Sequence, residues 1–89
     1  AGFRIIWRPS VALAGDQAEF KVQTDPGESC TLQYIAPDGT PSQTPGTGAI
    51  TADNLGICRW SWEVGALEGV ATVTIRIDEI SQDFQVELR

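Results

Sequence analysis

The sequence predicts an all-β fold, an antiparallel two-sheet sandwich of six to seven strands. Three observations lead there. Apolar side chains recur at every second residue through most of the chain, the period of a strand with one buried face. No stretch carries the 3.6-residue period of an amphipathic helix. Turn signals built on Gly, Pro and Asp separate the alternating runs at regular intervals, as in sandwiches. With 89 residues, 42% of them hydrophobic, the chain has room for one core, so a single domain over residues 1–89 is expected.

The elements follow in order. Phe3, Ile5 and Trp7 alternate with Arg4 and Arg8, with Ile6 out of phase. Pro9 divides this run from Val11 and Leu13, which suits an edge strand split in two, because proline gives no N–H to a ladder. Gly15-Asp16 is a turn. Phe20 and Val22 alternate with Glu19, Lys21 and Gln23. Asp25-Pro26-Gly27-Glu28 is a strong turn, Pro presetting the first central position and Gly supplying positive φ at the second. A third strand over residues 29–36 puts Cys30, Leu32, Tyr34 and Ala36 on one face. Residues 37–51 hold three prolines and three glycines among many Ser and Thr; they are expected to be a long loop with at most one short edge strand.

Alternation returns over residues 56–64, where Cys58, Trp60, Trp62 and Val64 oppose Arg59, Ser61 and Glu63. Residues 65–69 turn. Ala71, Val73, Ile75 and Ile77 then alternate with Thr72, Thr74, Arg76 and Asp78. Residues 78–83 read as a hairpin connection, and Phe84, Val86 and Leu88 alternate with Gln85, Glu87 and Arg89.

Two cysteines allow one intramolecular pairing, Cys30 with Cys58. Both fall on the inward set of their strands, and a shift of one residue in either would aim the sulfurs at opposite faces. A disulfide is therefore expected over two buried free thiols. Such a bond places the protein outside the reducing cytosol, extracellular or at the cell surface. The chain begins at Ala1 without an initiator Met, which leads to the expectation of a processed product or an excised domain. No apolar run approaches the roughly 18 residues of a membrane span, so direct membrane insertion is not expected.

Twelve acidic against six basic residues give a net charge of −6, which argues against a nucleic-acid partner. There is no His, and two Cys cannot make a four-cysteine zinc site. No nucleophile–base pair accompanies the scattered carboxylates, so no enzyme and no cofactor are expected.

Several strings resemble one group of proteins. They are Thr24-x-Pro26-Gly27-x-x-Cys30-x-Leu32-x-Tyr34, Thr51-Ala52-Asp53-x-x-Gly56, Trp60-x-Trp62-x-Val64-Gly65 and Gly69-x-Ala71-Thr72-Val73-Thr74-Ile75. Together they cover nearly the whole chain and are similar to immunoglobulin-like domains of bacterial cell-surface and secreted proteins. The resemblance implies an immunoglobulin-like sandwich and a module that spaces, adheres or senses, and it implies no enzyme. One departure stands out. In those relatives the second cysteine often sits near the positions of Ile75 to Ile77, whereas here Cys58 comes one strand earlier.

Candidate sites follow from side-chain chemistry. Trp7, Trp60, Trp62 and Tyr34 offer aromatic faces for stacking on a sugar, against core packing as the plainer reading. Trp7 is the one expected to be exposed. The loop residues Asp38, Thr40, Ser42, Thr44 and Thr47 are candidates for partner binding, since sandwich loops carry recognition on a rigid scaffold; their composition equally suits O-glycosylation or a solvated loop. Asp53, with Asn54 and Gly56, faintly resembles a calcium loop, and Asp78, Glu79 and Asp83 offer a second weak calcium candidate. For both, solvated turn residues are the plainer reading and no metal is expected. The leading functional expectation is a non-catalytic extracellular module with a protein or glycan partner or neighbouring domains. The alternatives are a filament subunit assembled by β-strand addition through Phe3, Ile5, Ile6 and Trp7, and a small carbohydrate-binding module.

Overall fold

A computed structural model, described over residues 3–42 and 46–89, contains nine strands in two packed sheets. They are β1 (Arg4–Trp7), β2 (Val11–Ala12), β3 (Gln17–Gln23), β4 (Ser29–Ile35), β5 (Pro41–Ser42), β6 (Gly48–Thr51), β7 (Ile57–Glu63), β8 (Gly69–Ile77) and β9 (Ile80–Leu88). One sheet has the order β1-β3-β7. The other runs β2-β9-β8-β4, with β5 and β6 both lying along the far edge of β4. The first strand is thus shared between the sheets and the rest follow the immunoglobulin-like order.

Period-two alternation builds this core. On β3, Ala18, Phe20 and Val22 are buried; on β7, Cys58, Trp60 and Trp62; on β8, Ala71, Val73, Ile75 and Ile77. The intervening side chains on β3 and β7 face outward. Phe20 stacks on Trp62 at 5.7 Å between ring centroids, and Tyr34 packs on the same indole at 5.4 Å. Gly27 takes φ +81° in the turn before β4, where the Glu28 N–H donates to the Asp25 carbonyl.

Three features differ from the sequence expectation. The edge strand splits at Pro9, but its halves join opposite sheets: β1 pairs antiparallel with β3, and β2 pairs parallel with β9. The sandwich therefore contains one parallel pair. Residues 37–51 supply two short strands rather than at most one, both held by β4. The indole N–H of Trp60 also donates to the Gly48 carbonyl at 3.0 Å, tying the loop to the core. Finally, the connection over residues 78–83 shrinks to Asp78 and Glu79, because Ile77 already pairs with Ile80. Ser81, Gln82 and Asp83 are exposed, so the ladder continues where no alternation marks it. Asp78 adopts φ 55° in this turn, a conformation Asp tolerates better than most residues.

Cys30 and Cys58 form a disulfide with Cα atoms 6.5 Å apart, joining β4 of one sheet to β7 of the other. In antibody domains the bridge links the second and the penultimate strands, which correspond here to β3 and β8. Cys58 stands directly opposite Val22 of β3, and Cys30 opposite Ile77 of β8. The bridge here thus joins the strands next to β3 and β8 in their respective sheets.

Candidate functional site

The aromatic candidates separate sharply. Trp60, Trp62 and Tyr34 are 1–2% exposed, so they form core and not a sugar-stacking platform. The Tyr34 hydroxyl donates to the Val64 carbonyl, and burial pushes its pKa above the ordinary tyrosine value. Trp7 is 56% exposed. It ends β1 next to a bulge, where both Ile6 and Trp7 fall opposite the Lys21 region of β3.

Beside Trp7 lies an open groove of about 360 Å³. It is lined by Trp7, Pro9, Val11, Ala12 and Leu13 together with residues 16–19. Val11 and Leu13 are 42% and 62% exposed, so the groove presents three large apolar side chains to solvent. Its charged lining is acidic, supplied by Asp16 and Glu19. The sequence reading singled out Trp7 and missed the other residues of this groove. The signal available was the proline inside an apolar run.

The loop candidates are distributed along the stretch that follows β4. Asp38 and Thr40 share one turn: the Thr40 N–H donates to Asp38 Oδ1 at 3.0 Å, and the Ala36 N–H donates to the Thr40 carbonyl. The Thr40 N–H donating to its carboxylate holds Asp38 below its ordinary pKa. Ser42 belongs to β5 and pairs with Tyr34. Thr47 is half-buried just before β6. Thr44 lies outside the described residues.

The weak calcium candidates are engaged by the fold or dispersed. Asp53 Oδ1 accepts the N–H groups of Leu55 and Ile57, at 2.9 and 3.0 Å. This carboxylate holds the turn into β7 as an extra backbone acceptor would. Asp83 sits within β9 and accepts the Thr74 hydroxyl at 2.8 Å, away from the Asp78-Glu79 turn to which the sequence reading assigned it. Among the described residues, no three metal-ligating side chains gather in one place. Asp78 lies instead beside Glu28, whose carboxyl is raised above its ordinary pKa by the neighbouring negative charge.

No protein-family model and no curated protein sequence matches this chain. Solved structures do. Domains 4 and 5 of the S-layer protein SbsC superpose with a TM-score of 0.69 at 14% identity, over 99% of this chain and 51% of theirs. XAC1771, a carbohydrate acetylesterase from Xanthomonas citri, gives 0.66 at 13% identity over 92% of this chain and 18% of its own. A β-glucosidase from Listeria innocua gives 0.61 at 12% identity over 98% and 16%. The chain thus spans about half of the first of these chains and less than a fifth of the other two. What it shares with them is the fold, an immunoglobulin-like β-sandwich.

Proposed function

We propose that residues 1–89 act as one non-catalytic extracellular module of a bacterial surface or secreted protein, spacing its neighbours or presenting a surface to a protein or glycan partner. The observation that carries this reading is the Cys30–Cys58 bridge, wholly buried between the sheets. A structural disulfide of this kind persists in oxidising compartments and is rare in the cytosol. No helix of the described residues is long and apolar enough to cross a membrane. The likeness to S-layer domains favours a surface role, and the small share of the two enzymes that the chain spans fits an accessory part better than a catalytic one. The antiparallel pairing of β1 with β3 of its own sheet favours the module over a filament subunit that donates this strand.

Intact mass before and after alkylation, with and without reduction, tests the reading on protein exported through an oxidising compartment. The expected result is no alkylation until reductant is added, then two alkyl groups. Two free thiols in the exported protein would remove the basis for the extracellular assignment. Export of the chain fused to a periplasmic reporter, with folding dependent on both cysteines, would strengthen it.

A further inference from the structure

The groove beside Trp7 exists because two strands part company. The last pair between β1 and β3 is Trp7 with Lys21. In that register the next outward-facing pair would set Pro9 against Glu19, and proline has no N–H to continue the ladder. From Pro9 the chain crosses to the other sheet and pairs Val11 and Ala12 with β9.

β3 does not end there. It stays paired with β7 as far as Gln17 opposite Glu63. The Thr24 N–H donates to the Gly56 carbonyl and the Val64 N–H to the Asp16 carbonyl, so even-numbered positions of β3 turn their peptide groups toward β7. Odd-numbered Gln17 and Glu19 therefore turn theirs toward the side that β1 has left. The Gln17 N–H is taken by Asp16 Oδ1 at 2.9 Å. The rest of this short edge lines the groove, and among the described residues no strand pairs with it.

An exposed strand edge flanked by apolar side chains is the template for an added strand, in which main-chain hydrogen bonds give affinity and alternate side chains give specificity. Charge indicates the occupant. Asp16 and Glu19 line the groove, and Glu63 faces outward opposite Gln17. A second copy of the chain would bring a further net charge of −6 to this acidic rim, which opposes self-association. We propose that the groove binds an extended segment of a partner protein, with basic and apolar residues in alternation, as an added strand beside Gln17 and Glu19. Its basic side chains would meet Glu19 and Glu63 on the outward face, while its apolar ones turn to the opposite face toward Val11 and Leu13. This inference does not depend on where the protein resides, because it is tested on the isolated full chain.

The probes are a blocked hexapeptide of alternating Lys and Val, its Glu–Val counterpart, and a scrambled Lys/Val peptide of the same composition. Titration is followed by backbone amide shifts and by the Trp7 indole resonance. The alternating Lys–Val peptide is expected to shift Gln17, Glu19 and Trp7, and the Glu–Val and scrambled peptides to bind at least about tenfold more weakly. Proline at the central Val should abolish binding. Glu19→Lys should invert the charge preference, and Leu13→Ser, a second variant at an exposed position, should weaken binding of the Lys–Val peptide. Equal binding of all three peptides, or shifts elsewhere on the surface, overturns the proposal. So does saturation of the same resonances by an oligosaccharide with none by the peptides, or concentration-dependent dimerisation that buries Trp7.

Discussion

The three-stranded sheet is closed by its own chain along β7 and left open along the first half of β3. At β7, Asp53 Oδ1 accepts the Ile57 N–H while the Asp53 N–H donates to the Ile57 carbonyl, so one residue serves the edge as a strand would. Farther along, Gly46 approaches the Ser61 carbonyl so closely that a Cβ there would overlap it. At β3, Pro9 breaks the ladder and carries the chain to the other sheet, leaving Gln17 and Glu19 uncovered. Closing an edge without a full strand thus takes a carboxylate of the right reach and a glycine that lets backbone approach backbone. Opening one takes a single proline.

The largest expected effect breaks what both edges depend on. Replacing Cys30 and Cys58 together by Ala should lower stability in urea unfolding by roughly 2–5 kcal/mol. A loss well under 1 kcal/mol would mean that packing alone fixes β7 against β4. Next comes Gly46→Ala, at φ +96° and against the Ser61 carbonyl. It should cost well over about 1 kcal/mol, read as a lowered Tm, and an unchanged Tm would show that the loop shifts away from β7 without penalty. Asp53→Ala leaves the N–H groups of Leu55 and Ile57 without their carboxylate and should cost about 1–2 kcal/mol. Hydrogen exchange at Ile57 should quicken more than at Trp60, and equal protection at both would argue against an edge-closing role. Smallest is Trp7→Ser on the open side, expected within about 0.5 kcal/mol of the parent in urea unfolding. A larger loss would mean that the indole is already packed and the groove less available than its exposure suggests.

Much of the core was legible in the sequence because burial on one face imposes alternation on each strand. Phe20, Trp60, Trp62 and Ile75 could be placed from phase alone, and so could the disulfide, since Cys30 and Cys58 had to point the same way to meet. Other features leave no such trace. Whether the chain beyond Pro9 rejoins the same sheet or crosses to the opposite one depends on where β9 ends, and no local pattern records that. After Ile80, β9 runs through Ser81, Gln82 and Asp83, which are polar and exposed, so their ladder is written in backbone hydrogen bonds and not in side chains. β5 and β6 are too short for a period, and β6 is anchored from outside by the Trp60 indole. The groove was half legible: Trp7 stood out as an exposed aromatic, but its partners Gln17 and Glu19 matter only because β1 stops where it does.

The bridge has one further consequence, for what happens when the chain is cut. Cys30 and Cys58 are separated by 28 residues, and the exposed turn containing Asp38, Gly39 and Thr40 lies between them. A protease that nicks this turn would divide the polypeptide into one piece carrying β1 to β4 and another carrying β5 to β9. The two would remain a single molecule, migrating together until a reductant parts them. Peptide continuity in this segment is therefore dispensable for keeping the halves of the sandwich joined.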